Sequence, residues 1–232
     1  MVLMVVARSR VAAALAIPLS AGALGWFQIT WGQTAGEAAL GANAEFHFIR
    51  LEYVDLFGAR RGFRRGWWMQ DWPAAEIHFA QGVRRLTAID IGEGRHVPLT
   101  DDRIYDYPWA YATQVGFWDL RDDETARLRE YLLRGGFLVV DDFHGPQDWG
   151  VFRDSMRRVF PDRPIVDIDE TDELLHVLYD IDQRTQIPGL RHLRMGPGGM
   201  TVVQPEATPP CWRGIYDDKG RLLVAIKFNK HI

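Results

Sequence analysis

The period of apolar positions shifts repeatedly along the chain, and each shift marks an element. Phe46–Val54, rich in aromatic and β-branched residues, predicts a first strand. Residues 55–72 keep no period. Gly58, Gly62 and Gly66 alternate with Arg60-Arg61 and Arg64-Arg65, and Trp67, Trp68 and Trp72 crowd around Asp71, as in a long loop. Pro73 suits a first helical turn, with Ile77, Phe79, Ala80 and Val83 as the apolar face. Thr87–Ile91 and Trp109–Val115 predict the next strands, and Pro98–Tyr107 between them is mixed. A clear helix follows, with Asp122 as its cap, Asp123 and Glu124 in the first turn and Leu128, Tyr131 and Leu132 on one face. Arg134 lies in its last turn and Gly135 is a natural stop.

Phe137–Val140 is apolar without alternation, the pattern of a strand buried on both faces of a parallel sheet. Trp149–Phe160 predicts another helix with Phe152, Met156 and Val159 as its stripe, closed by Pro161. Pro164–Ile168 reads as a short strand, while Leu174–Tyr179 suits strand or helix equally. Met200–Val203, Trp212–Tyr216 and Arg221–Phe228 close the chain, the last two as a hairpin around Asp217-Asp218-Lys219-Gly220. Strands alternating with helices predict one α/β domain over 46–232, with a mostly parallel sheet and an antiparallel C-terminal hairpin.

The front of the chain belongs to another class. Arg8 and Arg10 precede Val11–Trp31, 21 residues without a charge, and the first acid is Glu37. A basic start, an apolar run and small residues predict an export signal over 1–35. Residues 11–31 are also long enough to stay as an inner-membrane anchor. Residues 36–45 read as a linker. A periplasmic product follows, touching membrane only through an uncleaved leader.

The formal charge of −4 becomes two units more negative if Arg8 and Arg10 leave with the leader, which argues against nucleic acid as a partner. One cysteine, Cys211, excludes an intrachain disulfide and a cysteine-cluster metal site. There is no His pair at zincin spacing, no Walker loop and no Gly-x-Gly-x-x-Gly after a strand, so no cofactor is expected.

Candidate chemistry concentrates where the apolar strand ends: Asp141, Asp142 and His144 lie within four residues. In open α/β sheets ligands collect at the carboxyl ends of strands. Successive strand residues face opposite sides, so only one aspartate can face a shared crevice. Asp141 reads as a turn-capping residue that can also line a ligand site. Asp142 with His144 reads as a functional pair, acting as acid and base or as ligands of one divalent ion. Arg50 can reach the same rim to bind an anion, or it forms an ion pair with Asp141 or Asp142. Trp68 and Asp71 are the expected anchors of the Arg/Trp loop, and Tyr107 in Tyr105-Asp106-Tyr107-Pro108 can wall a crevice or serve a turn.

Tyr131…Arg134-Gly135-Gly136-Phe137-Leu138-Val139-Val140-Asp141-Asp142-Phe143-His144-Gly145 resembles the hallmark of the bacterial domain-of-unknown-function family numbered 4159. Phe46–Tyr53, Trp68…Asp71-x-Pro73, Val159-Phe160-Pro161, Ile187-Pro188-Gly189 and Gly214–Arg221 are similar to further family pieces. The resemblance implies a flavodoxin-like sandwich akin to class I glutamine amidotransferases, and no activity. Family members usually continue past the last strand with an Asn-Thr-Asp-like segment, where this chain has Asn229-Lys230-His231-Ile232. The amidotransferase nucleophile would sit in the turn at 141–145, where there is no thiol, so glutaminase-type acyl transfer is not expected. The expected function is a non-catalytic module of the envelope that binds a small ligand or another envelope protein. The alternative is a hydrolase built on Asp142 and His144.

Overall fold

A computed structural model describes residues 44–56, 66–177, 179–181, 193–196, 199–202 and 211–228. The predicted leader, nearly all of the linker and the arginines at 60, 61, 64 and 65 lie outside these residues. No helix among the described residues is long and apolar enough to cross a membrane.

The domain is α/β. Among the described residues the strands are β1 (Ile49–Glu52), β2 (Arg95–Pro98), β3 (Trp109–Thr113), β4 (Phe137–Asp141), β5 (Val166–Asp167), β6 (Leu193–Gly196), β7 (Gly199–Val202), β8 (Cys211–Tyr216) and β9 (Leu222–Phe228). The α-helices among the described residues are α1 (Ala74–Leu86), α2 (Asp122–Leu133) and α3 (Gly145–Val159). Seven strands form one sheet in the order β2-β1-β3-β4-β9-β8-β5, and β6 and β7 form a separate antiparallel pair. The pairs β1–β2, β1–β3, β3–β4 and β4–β9 are parallel, while β8 runs antiparallel to both β9 and β5. The parallel part has the 2-1-3-4-5 order of flavodoxin-like sheets, with β9 in the fifth place.

Strand alternation divides the residues between two faces. Ile49 and Leu51 of β1, Ala110 and Ala112 of β3, and Leu138 and Val140 of β4 join Leu128 and Leu132 of α2 and Phe152, Met156 and Val159 of α3 in one core. Phe48, Trp109 and Tyr111 face the other way, where Phe79 of α1 packs on Phe48 and Trp109 with ring centroids 5.0 and 5.5 Å apart.

Several elements differ from the sequence expectation. The second strand is Arg95–Pro98, not Thr87–Ile91, where Ile91 makes only an isolated bridge to Phe46. As an edge strand β2 needs one buried side chain, Val97, and its polar neighbours give no periodic signal. On α1 the buried residues are Glu76 and Ala80, and Ile77 is 51% exposed. The helix is turned so that a carboxylate, not isoleucine, meets the sheet. Helix α2 begins at Asp122 instead of being capped by it, and Glu124 accepts the backbone N–H of Arg121 at 3.0 Å. Helix α3 starts at Gly145, four residues before Trp149, with Pro146 in its first turn. At the start of the ambiguous Leu174–Tyr179 stretch the described residues form a 3-10 turn, Glu173–Leu175.

Candidate functional site

In a sheet of this order the chain reverses direction of growth between β1 and β3, and the carboxyl ends of those strands flank the crevice. Here Tyr53, just past β1, occupies that crevice. Its hydroxyl donates to the carbonyls of Thr113 and Gln114 at 2.7 and 3.1 Å. Burial and the nearby Asp55 carboxylate push the Tyr53 phenol well above its ordinary pKa, so it is a neutral donor. The polar groups of the candidate site lie one strand further on, just past β3 and β4, where Gln114 and Asp142 are buried and His144 is partly exposed.

Both strands end on a residue in the left-handed region, Gln114 at φ 54° and Asp142 at φ 52°. Aspartate is among the few non-glycine residues that accept this conformation readily. The reversal takes Asp142 out of the β-alternation. Its carboxylate accepts the Gln114 side-chain amide and lies 3.2 Å from Nε2 of His144. An ionised carboxylate only accepts, so with Asp142 charged the imidazole donates from Nε2. The Asp142 side chain is 4% exposed and that of His144 16%, so the histidine carries the contact with solvent. His144 is also the N-cap of α3, and its backbone N–H donates to Asp148 at 3.0 Å. Gly116 sits against the same aspartate: a Cβ there would lie 2.3 Å from that of Asp148. The α3 N-terminus, whose dipole favours anions, thus has Asp142 and Asp148 close by.

Asp141, the last residue of β4, has a different environment. It is wholly buried, and Tyr111 donates its hydroxyl to Oδ1 at 2.5 Å. Burial, with the Asp141 charge next, holds the Tyr111 phenol well above its usual pKa. Lys227 of β9 has its pKa lowered by burial, with Asp141 opposing the shift.

Arg50 pairs with neither aspartate. Its Nε lies 2.5 Å from Oε1 of Glu76, with both side chains sealed from water at 0 and 2% exposure. Nη1 donates to the carbonyls of Trp68 and Gln70 at 3.0 and 2.8 Å, and the guanidinium lies 5.0 Å from the Tyr111 ring centroid. Arg50 therefore holds the 66–72 segment against β1. Of that segment's residues, Trp68 packs its ring on His96 at 5.3 Å. Asp71, at φ 59°, is exposed and accepts from the Gln70 amide at 2.8 Å.

The structure thus brings Asp142 and His144 together and adds Gln114. Arg50, Tyr111 and Asp141 form a neighbouring buried layer. Tyr107 precedes β3, at the opposite end of the sheet from the Asp142 corner, where its hydroxyl accepts from Arg95 at 2.8 Å. Sequence reasoning missed Glu76, a lone acid between Ala75 and Ile77 on α1 whose partner lies far away in the chain, and Gln114, which the expected strand Trp109–Val115 absorbed. Among the described residues no group of three or more His, Cys, Asp or Glu is placed to hold a metal ion.

The sequence model of the family described as "Domain of unknown function (DUF4159)" matches residues 47–232. The chain belongs to this family. Its DUF4159 region contains every described strand and helix and all the groups of the Asp142 corner. No curated protein shows significant similarity to the chain.

Proposed function

We propose that this DUF4159 chain is an exported protein of the cell envelope whose domain, an amidotransferase-like sandwich without the catalytic thiol, binds a small polar ligand. The observation that carries this reading is the Asp142–Gln114–His144 corner at the carboxyl edge of the sheet, with His144 reaching solvent. With the Asp142 carboxylate against the His144 ring and the Asp148 carboxylate on its backbone N–H, the corner carries negative charge, so it suits a ligand that brings hydroxyl or ammonium donors. The basic leader followed by Val11–Trp31 supports export, with residues 11–31 as an anchor if uncleaved.

A second reading is favoured by one feature, the carboxylate–imidazole contact of 3.2 Å, which is the geometry of an acid–base pair in a hydrolase. Both readings are separated by screening soluble envelope fragments (monosaccharides, amino sugars, short peptides) for a rise in melting temperature. A ligand at a hundred times its Kd stabilises by about 2.7 kcal/mol, or roughly 5–10 °C for a domain of this size. The binding reading predicts a stabiliser that is recovered intact and loses its effect in Asp142→Asn. Recovery of a cleaved product moves the assignment to the hydrolase. A stabiliser unaffected by Asp142→Asn removes the corner from the account.

A further inference from the structure

A concave site lies along the outer side of α3 where it meets β8 and the turn after Phe160, and none of the Asp142 corner residues lines it. It is a hollow of about 280 Å³. Its apolar wall is formed by Trp149, Met156, Ile165 and Ile215. Met156 and Ile215 belong to the core and are only 1% exposed, so they form the floor of the hollow beneath Trp149 and Ile165.

The remaining wall is cationic, although the chain as a whole carries a formal −4. Arg153 and Arg157, one turn apart on α3, share the single carboxylate of Asp154 at 3.1 and 3.7 Å. Arg163 is held by Asp218, with both contacts at 3.0 Å, and the carbonyl of Tyr216 also accepts from it. Its Nε is shielded from water and has no hydrogen-bond partner among the described residues. The three guanidinium groups thus make ion pairs with two carboxylates, Asp154 and Asp218, while Asp162 and Asp217 also lie near Arg163. A fourth, Arg213, lies over the Trp149 ring at 4.6 Å and is paired with Asp167.

We propose that this hollow binds a small organic anion with a flat apolar body, an aromatic carboxylate being the chemical class that fits. The Trp149, Met156, Ile165 and Ile215 wall takes the ring, and Arg153 and Arg157 take the carboxylate through their planar forks. Their exposure, 42% and 68%, leaves both free to swing toward a ligand without unfolding the helix. The volume lies at the small end of ligand sites, which excludes a bulky cofactor.

The test uses the full folded chain and 2-naphthoate as probe, followed by calorimetry and Trp fluorescence. The expected result is saturable one-to-one binding with Kd below about 1 mM, near −4 kcal/mol. The neutral 2-naphthamide should bind at least roughly tenfold more weakly, as should naphthoate to the Arg153→Glu/Arg157→Glu variant. Ile165→Trp fills the hollow while keeping every charge, and should abolish binding. Asp142→Asn should leave it unchanged, which separates this site from the corner at the end of β4. The proposal fails if naphthoate does not saturate, if the amide binds equally well, or if the folded Ile165→Trp variant binds like the parent.

Discussion

Glu76→Gln tests the buried layer beneath the site at its most sensitive point. The substitution keeps the shape of the side chain and removes the charge, leaving the guanidinium of Arg50 sealed from water with no counter-ion. Breaking a buried pair on one side costs about 3–5 kcal/mol. Arg50 keeps two carbonyl acceptors and the Tyr111 ring, so the lower end applies, about 3 kcal/mol. For a domain of this size that lowers the melting temperature by roughly 6–12 °C. Urea unfolding with the m-value checked for constancy gives the number directly. Replacing both partners, Arg50→Met with Glu76→Leu, should recover most of the loss, because an apolar pair of similar volume is often as stable as the ions it replaces. The Trp68 and Gln70 carbonyls lose their donor in that double variant, so amide exchange across 66–72 should accelerate even as global stability returns. A Glu76→Gln protein within about 0.5 kcal/mol of the parent would refute the reasoning, since it would mean that the charge of Glu76 is not what compensates Arg50.

Two other outcomes follow from the geometry. Gly116→Ala places a methyl against Asp148 and should destabilise by about 1–3 kcal/mol, with the shift changes in an amide NMR spectrum centred on residues 144–148. Stability should also fall at alkaline pH. Tyr53 and Tyr111 are held above the ordinary phenol pKa of 10.0, so above that pH the unfolded chain loses protons that the folded one retains. Lys227, with its lowered pKa, acts in the opposite sense only up to its ordinary value of 10.5. Above pH 10.5 each of the two tyrosines therefore removes about 1.4 kcal/mol per pH unit. Tyr111→Phe should flatten the slope by one such increment, and a slope equal to the parent's would contradict the assignment.

What the sequence disclosed depended on whether each element carried its own signal. Helix α2 was legible because its acidic first turn, its i, i+3, i+4 apolar face and Gly135 all agree. The strand β4 was legible because a centrally placed parallel strand needs apolar residues on both faces. The edge strand β2 was not, since most of its side chains face solvent and only Val97 must be buried. The orientation of α1 depended on a partner 26 residues away: Arg50 requires a carboxylate, and that requirement overrides the hydrophobicity of Ile77. The Asp142–His144 pair was visible as a cluster, yet the left-handed turns that separate Asp142 from Asp141 and bring in Gln114 are tertiary facts. A glutamine in a positive-φ position announces neither its conformation nor its neighbour.

Equilibrium unfolding of Asp142→Asn tests, without a ligand in hand, the claim that the Asp142 corner serves a ligand and not the fold. Asparagine accepts the same left-handed backbone and still offers an oxygen to Gln114, while a group kept for function is seldom optimal for stability. The expected change is within about 1 kcal/mol in either direction. A loss of about 3–5 kcal/mol, the signature of a broken buried ion pair, would make the corner a structural brace and contradict the claim.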